Sequence, residues 1–246
     1  MKRVNWQIVF GLSLLLLSAV IYVIHFAIFR DAHYIFKYLV GHLAFLPIHV
    51  LLVTIILDQL LKIREKRSIL KKMNMVIGAF FSEVGTDLLK LFSSFDLNLD
   101  IMTEIFVVTD KWSEQDFSLT SHRLKGYDYK IESKRGNLEH LKSFLTGKRN
   151  FMLGLLENPN LLEHESFTDL LWAVFHLTEE LDNRLDLTAL PRTDYAHLSG
   201  DIKRAYVLLI SEWLAYMKHL KDNYPYLFSL AVRTNPFDPA ASPEVK

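Results

Sequence analysis

The chain has no cysteine. That one absence removes structural disulfides, thiolate metal sites, iron–sulfur clusters and cysteine nucleophiles. Net charge is also missing, because 28 lysines and arginines balance 28 acidic residues and the pI is about 7.2. No global field therefore draws the protein to nucleic acid. The phosphate-binding Gly-x4-Gly-Lys-Ser/Thr, the dinucleotide fingerprint, the Gly-x-Ser-x-Gly elbow and His-Glu-x-x-His are all absent, which removes the commonest enzyme classes. Internal repeats and low-complexity blocks are lacking as well.

What the sequence does have is apolar residues concentrated at one end. Residues 8–29 (IVFGLSLLLLSAVIYVIHFAIF) and 38–61 (YLVGHLAFLPIHVLLVTIILDQLL) are each long enough for a membrane helix, which needs about 20 residues. A cleaved signal peptide is the competing reading of the first run. It fits poorly, because the apolar region is long and Leu17 stands where a small residue is wanted. Residues 30–37 are expected to form a short polar connection, and Pro47 to kink the second helix by removing a backbone donor.

Orientation follows from basic residues beside the spans. Lys2 and Arg3 fall on one side with Lys62, Arg64, Lys66, Arg67, Lys71 and Lys72, against Arg30 and Lys37 in the loop, so both termini are expected in the cytoplasm. The same basic run is a candidate for contact with anionic headgroups, at about 1 kcal/mol per charge near the surface. Its plainer role is as a topology signal.

From Ser68 onward the apolar residues recur every three or four positions, as in amphipathic helices. Ile69, Met73, Ile77, Phe80, Val84 and Leu88 form such a stripe, and the second apolar helix is a candidate to run into it. Gly78 and Gly85 stand seven apart on one face, a spacing that suits close helix packing or self-association. Further helices are expected over 97–110, 113–125, 137–157, 166–184, 195–223 and the short YLFSLAVRT segment. Ser113 with Asp116, and Ser166 with Asp169, resemble capping boxes. Residues 126–135 read as a loop or short strand, and 234–246, rich in proline and small residues, as a disordered tail. The fold class is all-α: a two-helix transmembrane hairpin (residues 1–67) followed by a cytoplasmic helical bundle (68–233).

Three groups are candidates for chemistry. Ionisable residues within a membrane are costly and hence functional candidates. His25 and His42 fall at similar depth in an antiparallel hairpin, where two imidazoles can ligate haem b or a metal ion. His49 lies about 10 Å further along the second helix and, with Asp58, is a candidate lining for a seam between subunits. Against this, neutral imidazoles near an interface are usually satisfied by backbone or water, and one hairpin is a small scaffold for haem.

The second group is the polar face around Glu165, Asp169, His176 and Glu180. It includes His176-x-x-Glu179, the reverse of the Glu-x-x-His of di-iron bundles, and reads as a solvated surface opposite the apolar stripe. Asp194 and His197 form an Asp-x-x-His too common to stand alone. The third group is aromatic. Phe151, Phe167, Phe175 and Trp213 fall at core spacing, whereas Trp172 lies at the edge of its stripe and marks a candidate partner surface.

Three stretches, NMVIGAFFSEVG (74–85), LLENPNLLEHESFTDLLWAVFHLTEEL (155–181) and YPYLFSLAVRTNPF (224–237), together with the hairpin, resemble a family of uncharacterised bacterial inner-membrane proteins with two N-terminal transmembrane helices and a helical cytoplasmic region. The resemblance spans nearly the whole chain. It implies the architecture and a bacterial inner-membrane location, and it carries no functional residues across.

The expectation is a non-enzymatic membrane protein presenting a helical interaction module as adaptor, scaffold or regulator. Its expected partners are the lipid bilayer, a second copy and a protein at the cytoplasmic domain, and it takes no cofactor. The alternative is a haem-binding, metal-binding or transport component built on the hairpin histidines.

Overall fold

Arg30 and Asp31 separate the first two helices. Arg30 adopts the left-handed conformation (φ 47°), which stops the first helix. The Asp31 carboxylate accepts from the Tyr34 amide at 3.0 Å and so caps the second. This connection is shorter than the expected 30–37, because a single αL residue followed by a capping aspartate reverses the chain with nothing to spare.

The structure, a computed structural model, describes residues 6–159, 161 and 164–245, with the side chains of 7, 8 and 66–72 outside that description. Among the described residues the protein is all-α: α1 (Trp6–Phe29), α2 (Ala32–Phe80), α3 (Thr86–Ser93), α4 (Leu99–Phe106), α5 (Glu114–Lys125), α6 (Leu138–Leu156), α7 (Glu165–Asp182), α8 (Arg192–Asn223) and α9 (Pro225–Arg233). Pro47 lies inside α2, which continues through it. A π-helical turn, Phe81–Gly85, separates α2 from α3.

The chain divides into two units, Met1–Lys66 and Arg67–Lys246. In the first, α1 and the start of α2 supply two segments long and apolar enough to cross a membrane, Val9–Phe29 and Ala32–Glu65. Nearly all of their described large apolar side chains are exposed, from Trp6 to Ile63, with Ile35 half-buried.

The second unit has a closed apolar core built around α8. At 32 residues α8 is about 48 Å long, and α3, α5, α7 and α9 all pack on it, with α6 against α7. Its fully buried stripe, Leu198, Ile202, Ala205, Tyr206 and Leu209, follows helical spacing. Gly85 lies buried beside Phe80 and Phe81, where an added Cβ would come within 2.5 Å of a Phe81 ring carbon, and Gly78 faces Tyr216 of α8. Both glycines are thus taken up by packing inside the unit, which leaves Gly85 no surface for self-association.

Side-chain caps start α5, α6 and α7 as well as α2. At α5 the Ser113 hydroxyl accepts from the Asp116 amide while the Asp116 carboxylate accepts from the Ser113 amide, a complete capping box. At α6 the Asn137 side chain accepts from the His140 amide at 2.9 Å. The start of α7 differs from expectation. His164, not Ser166, is the cap, its Nδ1 accepting from the Phe167 amide at 3.2 Å. An imidazole nitrogen two residues upstream supplies the acceptor that a serine was expected to provide.

Of the two segments outside the helices, the first follows its sequence reading and the second does not. Residues 126–135 are loop with a single bridge, Ile131 to Asp96, pinned by Ser133, whose hydroxyl donates to the Tyr195 carbonyl at 2.7 Å. The segment 234–246 is expected to be disordered, but its described residues, 234–245, contribute to the core. Phe237 is 2% exposed between Phe106 and Trp213, and the Asn235 side chain donates to the Phe106 carbonyl at 2.7 Å. That carbonyl ends α4 and also accepts from the Val108 amide at 2.8 Å, so the buried asparagine uses its second lone pair.

Candidate functional site

Polar side chains converge where α7 runs down and α8 returns beside it. His176 and Glu180 are four apart on α7, and His197 and Asp201 are four apart on α8, so each pair projects from one face of its helix. The turn of residues 183–191 makes the helices antiparallel neighbours and brings the pairs together. His176 Nε2 lies 3.6 Å from Asp201 Oδ2, and His197 Nε2 lies 3.3 Å from the same oxygen. Glu180 approaches from the side, with Oε1 3.8 Å from His176 Nε2 and Oε2 3.5 Å from His197 Nε2.

Two arginines hold the carboxylates. Arg184, just past the end of α7, binds Asp194 through Nε (2.8 Å) and Nη2 (2.7 Å), and its Nη1 donates to Glu180 Oε2 (2.7 Å) and to the Glu180 carbonyl. These charge-assisted bonds hold the carboxyls of Glu180 and Asp194 below the ordinary carboxylate range and push Arg184 up. Arg204 Nη1 donates to Asp201 Oδ1 at 3.0 Å. Asp201 is 2% exposed, and its other oxygen, Oδ2, accepts no hydrogen bond among the described residues. Two half-exposed imidazoles therefore face one buried carboxylate oxygen that has a lone pair to offer. Such a cluster can share a proton or take a cation.

The other sequence candidates are placed separately. In the hairpin, His25 packs between the rings of Phe29 (4.8 Å) and Tyr34 (5.9 Å), His42 lies against Tyr38, and His49 meets Phe45 edge-on. His25 Nδ1 is buried without a hydrogen-bond partner among the described residues. Lys62 pairs with Asp58 at 2.8 Å, both exposed, and Arg64 is exposed; the side chains of Lys66, Arg67, Lys71 and Lys72 lie outside the described residues. Trp172 is 61% exposed on α7. Glu165 and Asp169 stay at the start of α7 with His164 and Ser166, away from the cluster.

Sequence spacing did not single out Asp201 or Arg204. The available signal was the pair of i,i+4 motifs, His-x3-Glu and His-x3-Asp, on two helices joined by a short turn. A separate cavity of about 650 Å³ opens between the end of α2, α8 and α9, with mostly apolar walls that include Gly78, Tyr216, Leu227 and Leu230. His219 stands at its edge, its Nδ1 3.1 Å from Asn74 Nδ2 and its imidazole pushed down by burial.

Comparison with known proteins gives two matching family models. Residues 69–233 match the model described as "Uncharacterized protein MJ1433, C-terminal helical domain". Residues 2–61 match "MJ1433, N-terminal helical domain". The curated protein "Uncharacterized protein MJ1433" of Methanocaldococcus jannaschii is 47% identical over 238 residues, covering 97% of this chain and 96% of the relative. No solved structure matches. The relative is archaeal, so it lends no support to the bacterial source implied by resemblance.

Proposed function

We propose, for a chain that belongs to the MJ1433 family, a membrane-anchored and non-enzymatic role in which the hairpin holds a helical module at the cytoplasmic surface. The observation that carries this reading is the exposure of the first unit. From Trp6 to Ile63 nearly all its described large apolar side chains lie open, and burying each such residue is worth about 1.5–3 kcal/mol. A water-soluble protein would cover that surface, whereas a bilayer covers it without help. Both termini are placed in the cytoplasm on the basic-residue count, and the membrane is a cell membrane, bacterial or archaeal.

The second unit then acts by binding, as adaptor, scaffold or regulator. Its support is a well-packed helical core with an exposed tryptophan, Trp172, on α7. Self-association runs through the hairpin, whose apolar faces are free in the single chain.

The absence of cysteine makes the test clean, because single cysteines introduced at Ala32 and Ala241 are the only thiols present. The full chain is expected to stay in the pellet after alkaline carbonate extraction. The cysteine at residue 32 should label from outside intact cells, and that at 241 only after permeabilisation. Release by carbonate would remove the anchoring, and the reverse labelling pattern would invert the topology.

A further inference from the structure

The cluster between α7 and α8 carries a ligand site of its own. We propose that His176, His197 and Asp201, completed by Glu180, bind a divalent cation of the zinc class.

The first argument is geometric. The three donor atoms, one from each of His176, His197 and Asp201, lie within 4.8 Å of one another. In a tetrahedral site with bonds of about 2.0–2.1 Å, donors stand about 3.3 Å apart. Asp201 Oδ2 is 3.3 Å from one imidazole nitrogen and 3.6 Å from the other, so a small rotamer adjustment brings all three onto one ion. Glu180 Oε1, the oxygen not held by Arg184, lies 3.8 Å from His176 Nε2 and supplies the fourth position.

The second argument is the state of Asp201. A buried carboxylate oxygen without a hydrogen bond is costly, and this one faces the two imidazole nitrogens while accepting no hydrogen bond among the described residues. A cation satisfies it. Arg204 on the opposite oxygen then plays the part that outer-sphere partners play at metal sites, fixing the ligand's orientation, and Arg184 does the same for Glu180.

Charge points the same way. Three carboxylates (Glu180, Asp194, Asp201) face two guanidinium groups (Arg184, Arg204), which leaves one negative charge for the cation to meet. The donor set selects its class. Two imidazoles disfavour magnesium and calcium, which prefer oxygen, and the absence of thiolate disfavours copper(I). The bound ion would clasp α7 to α8 across their turn.

The test uses the full chain in detergent, stripped of metal by chelation and titrated with cobalt(II), whose visible absorption is strong only in tetrahedral sites. The expected result is saturation at one cobalt per chain, with displacement by zinc. H176A and H197A should each abolish the saturable signal, and because both side chains are half exposed neither replacement disturbs the core. D201N, nearly isosteric, should do likewise, and Arg204→Gln should weaken binding by about 10- to 100-fold. A triple variant with His25, His42 and His49 replaced by alanine should bind as the parent does. No saturable tetrahedral signal, or a signal unchanged in H176A and H197A, overturns the proposal. Neither result bears on anchoring, which carbonate extraction tests separately.

Discussion

Asp96 shows what burial does to a single ionisable group in this protein. It is fully buried, with Oδ1 accepting from the Asn98 amide at 2.9 Å and Oδ2 accepting nothing among the described residues. Burial pushes its carboxyl up, and burial, with a lesser contribution from the Asp96 charge, pushes up the phenols of Tyr127, Tyr129 and Tyr206; the hydroxyls of Tyr129 and Tyr206 are likewise unpartnered among the described residues. Because folding raises the Asp96 pKa, the unfolded chain gives up that proton first. The contribution of Asp96 to stability is therefore fully present below the ordinary carboxylate range and is lost as pH rises through the folded value. Asp96→Asn keeps an acceptor for the Asn98 amide and removes the charge. Its Tm is expected to exceed that of the parent at pH 7, with the gap closing at acid pH. Glu180 and Asp194, which are shifted the other way by Arg184, lose their contributions at low pH in both proteins and so cancel from the comparison. A variant less stable than the parent at pH 7 would show that Asp96 is ionised and usefully paired.

Among elements, the C-terminal segment is the one whose sequence pattern misleads most. Proline and small residues surround Phe237, so composition reads as a tail, yet one aromatic ring in a pocket suffices to fix a segment. Phe237 contacts Phe106 at 4.9 Å and Trp213 at 5.2 Å between ring centroids. Phe237→Ala is expected to cost about 3–5 kcal/mol, the usual range for a buried phenylalanine. Denaturant unfolding of the variant checks it, and a loss below about 1 kcal/mol, the scale of surface changes, would mean that the segment leaves its pocket in solution.

The helices themselves were legible, because a period of three to four in Leu198, Ile202, Ala205, Tyr206 and Leu209 follows directly from burying one face. Their ends were less so. The imidazole of His164 replaces the expected hydroxyl of Ser166 at the start of α7, and histidine belongs to no simple capping rule. The α7–α8 cluster was half legible. His176, Glu180 and His197 stand out as residues, but their meeting depends on how two helices face each other, and Asp201 looks like any surface aspartate until the packing buries it.

For the whole molecule, the decisive contrast is between a unit with no buried apolar residue among those described and a unit that holds the entire described core. Every buried apolar side chain among the described residues lies at Met73 or later, and the division into units falls between Lys66 and Arg67. The 69–233 family match begins just beyond that division and the 2–61 match ends just before it. If the core of the second unit is complete in itself, a chain of residues 67–246 carries all the apolar contacts its fold needs, and removing the first unit deletes none of them. That shortened chain is expected to remain in the supernatant without detergent, to melt cooperatively and to retain the α7–α8 cluster. The full chain should require detergent to stay dispersed. Solubility of the two chains and a thermal melt of the shorter one decide the matter. A full chain that is soluble alone would mean that the hairpin covers itself by self-association in water, and the anchoring proposal would fall with it.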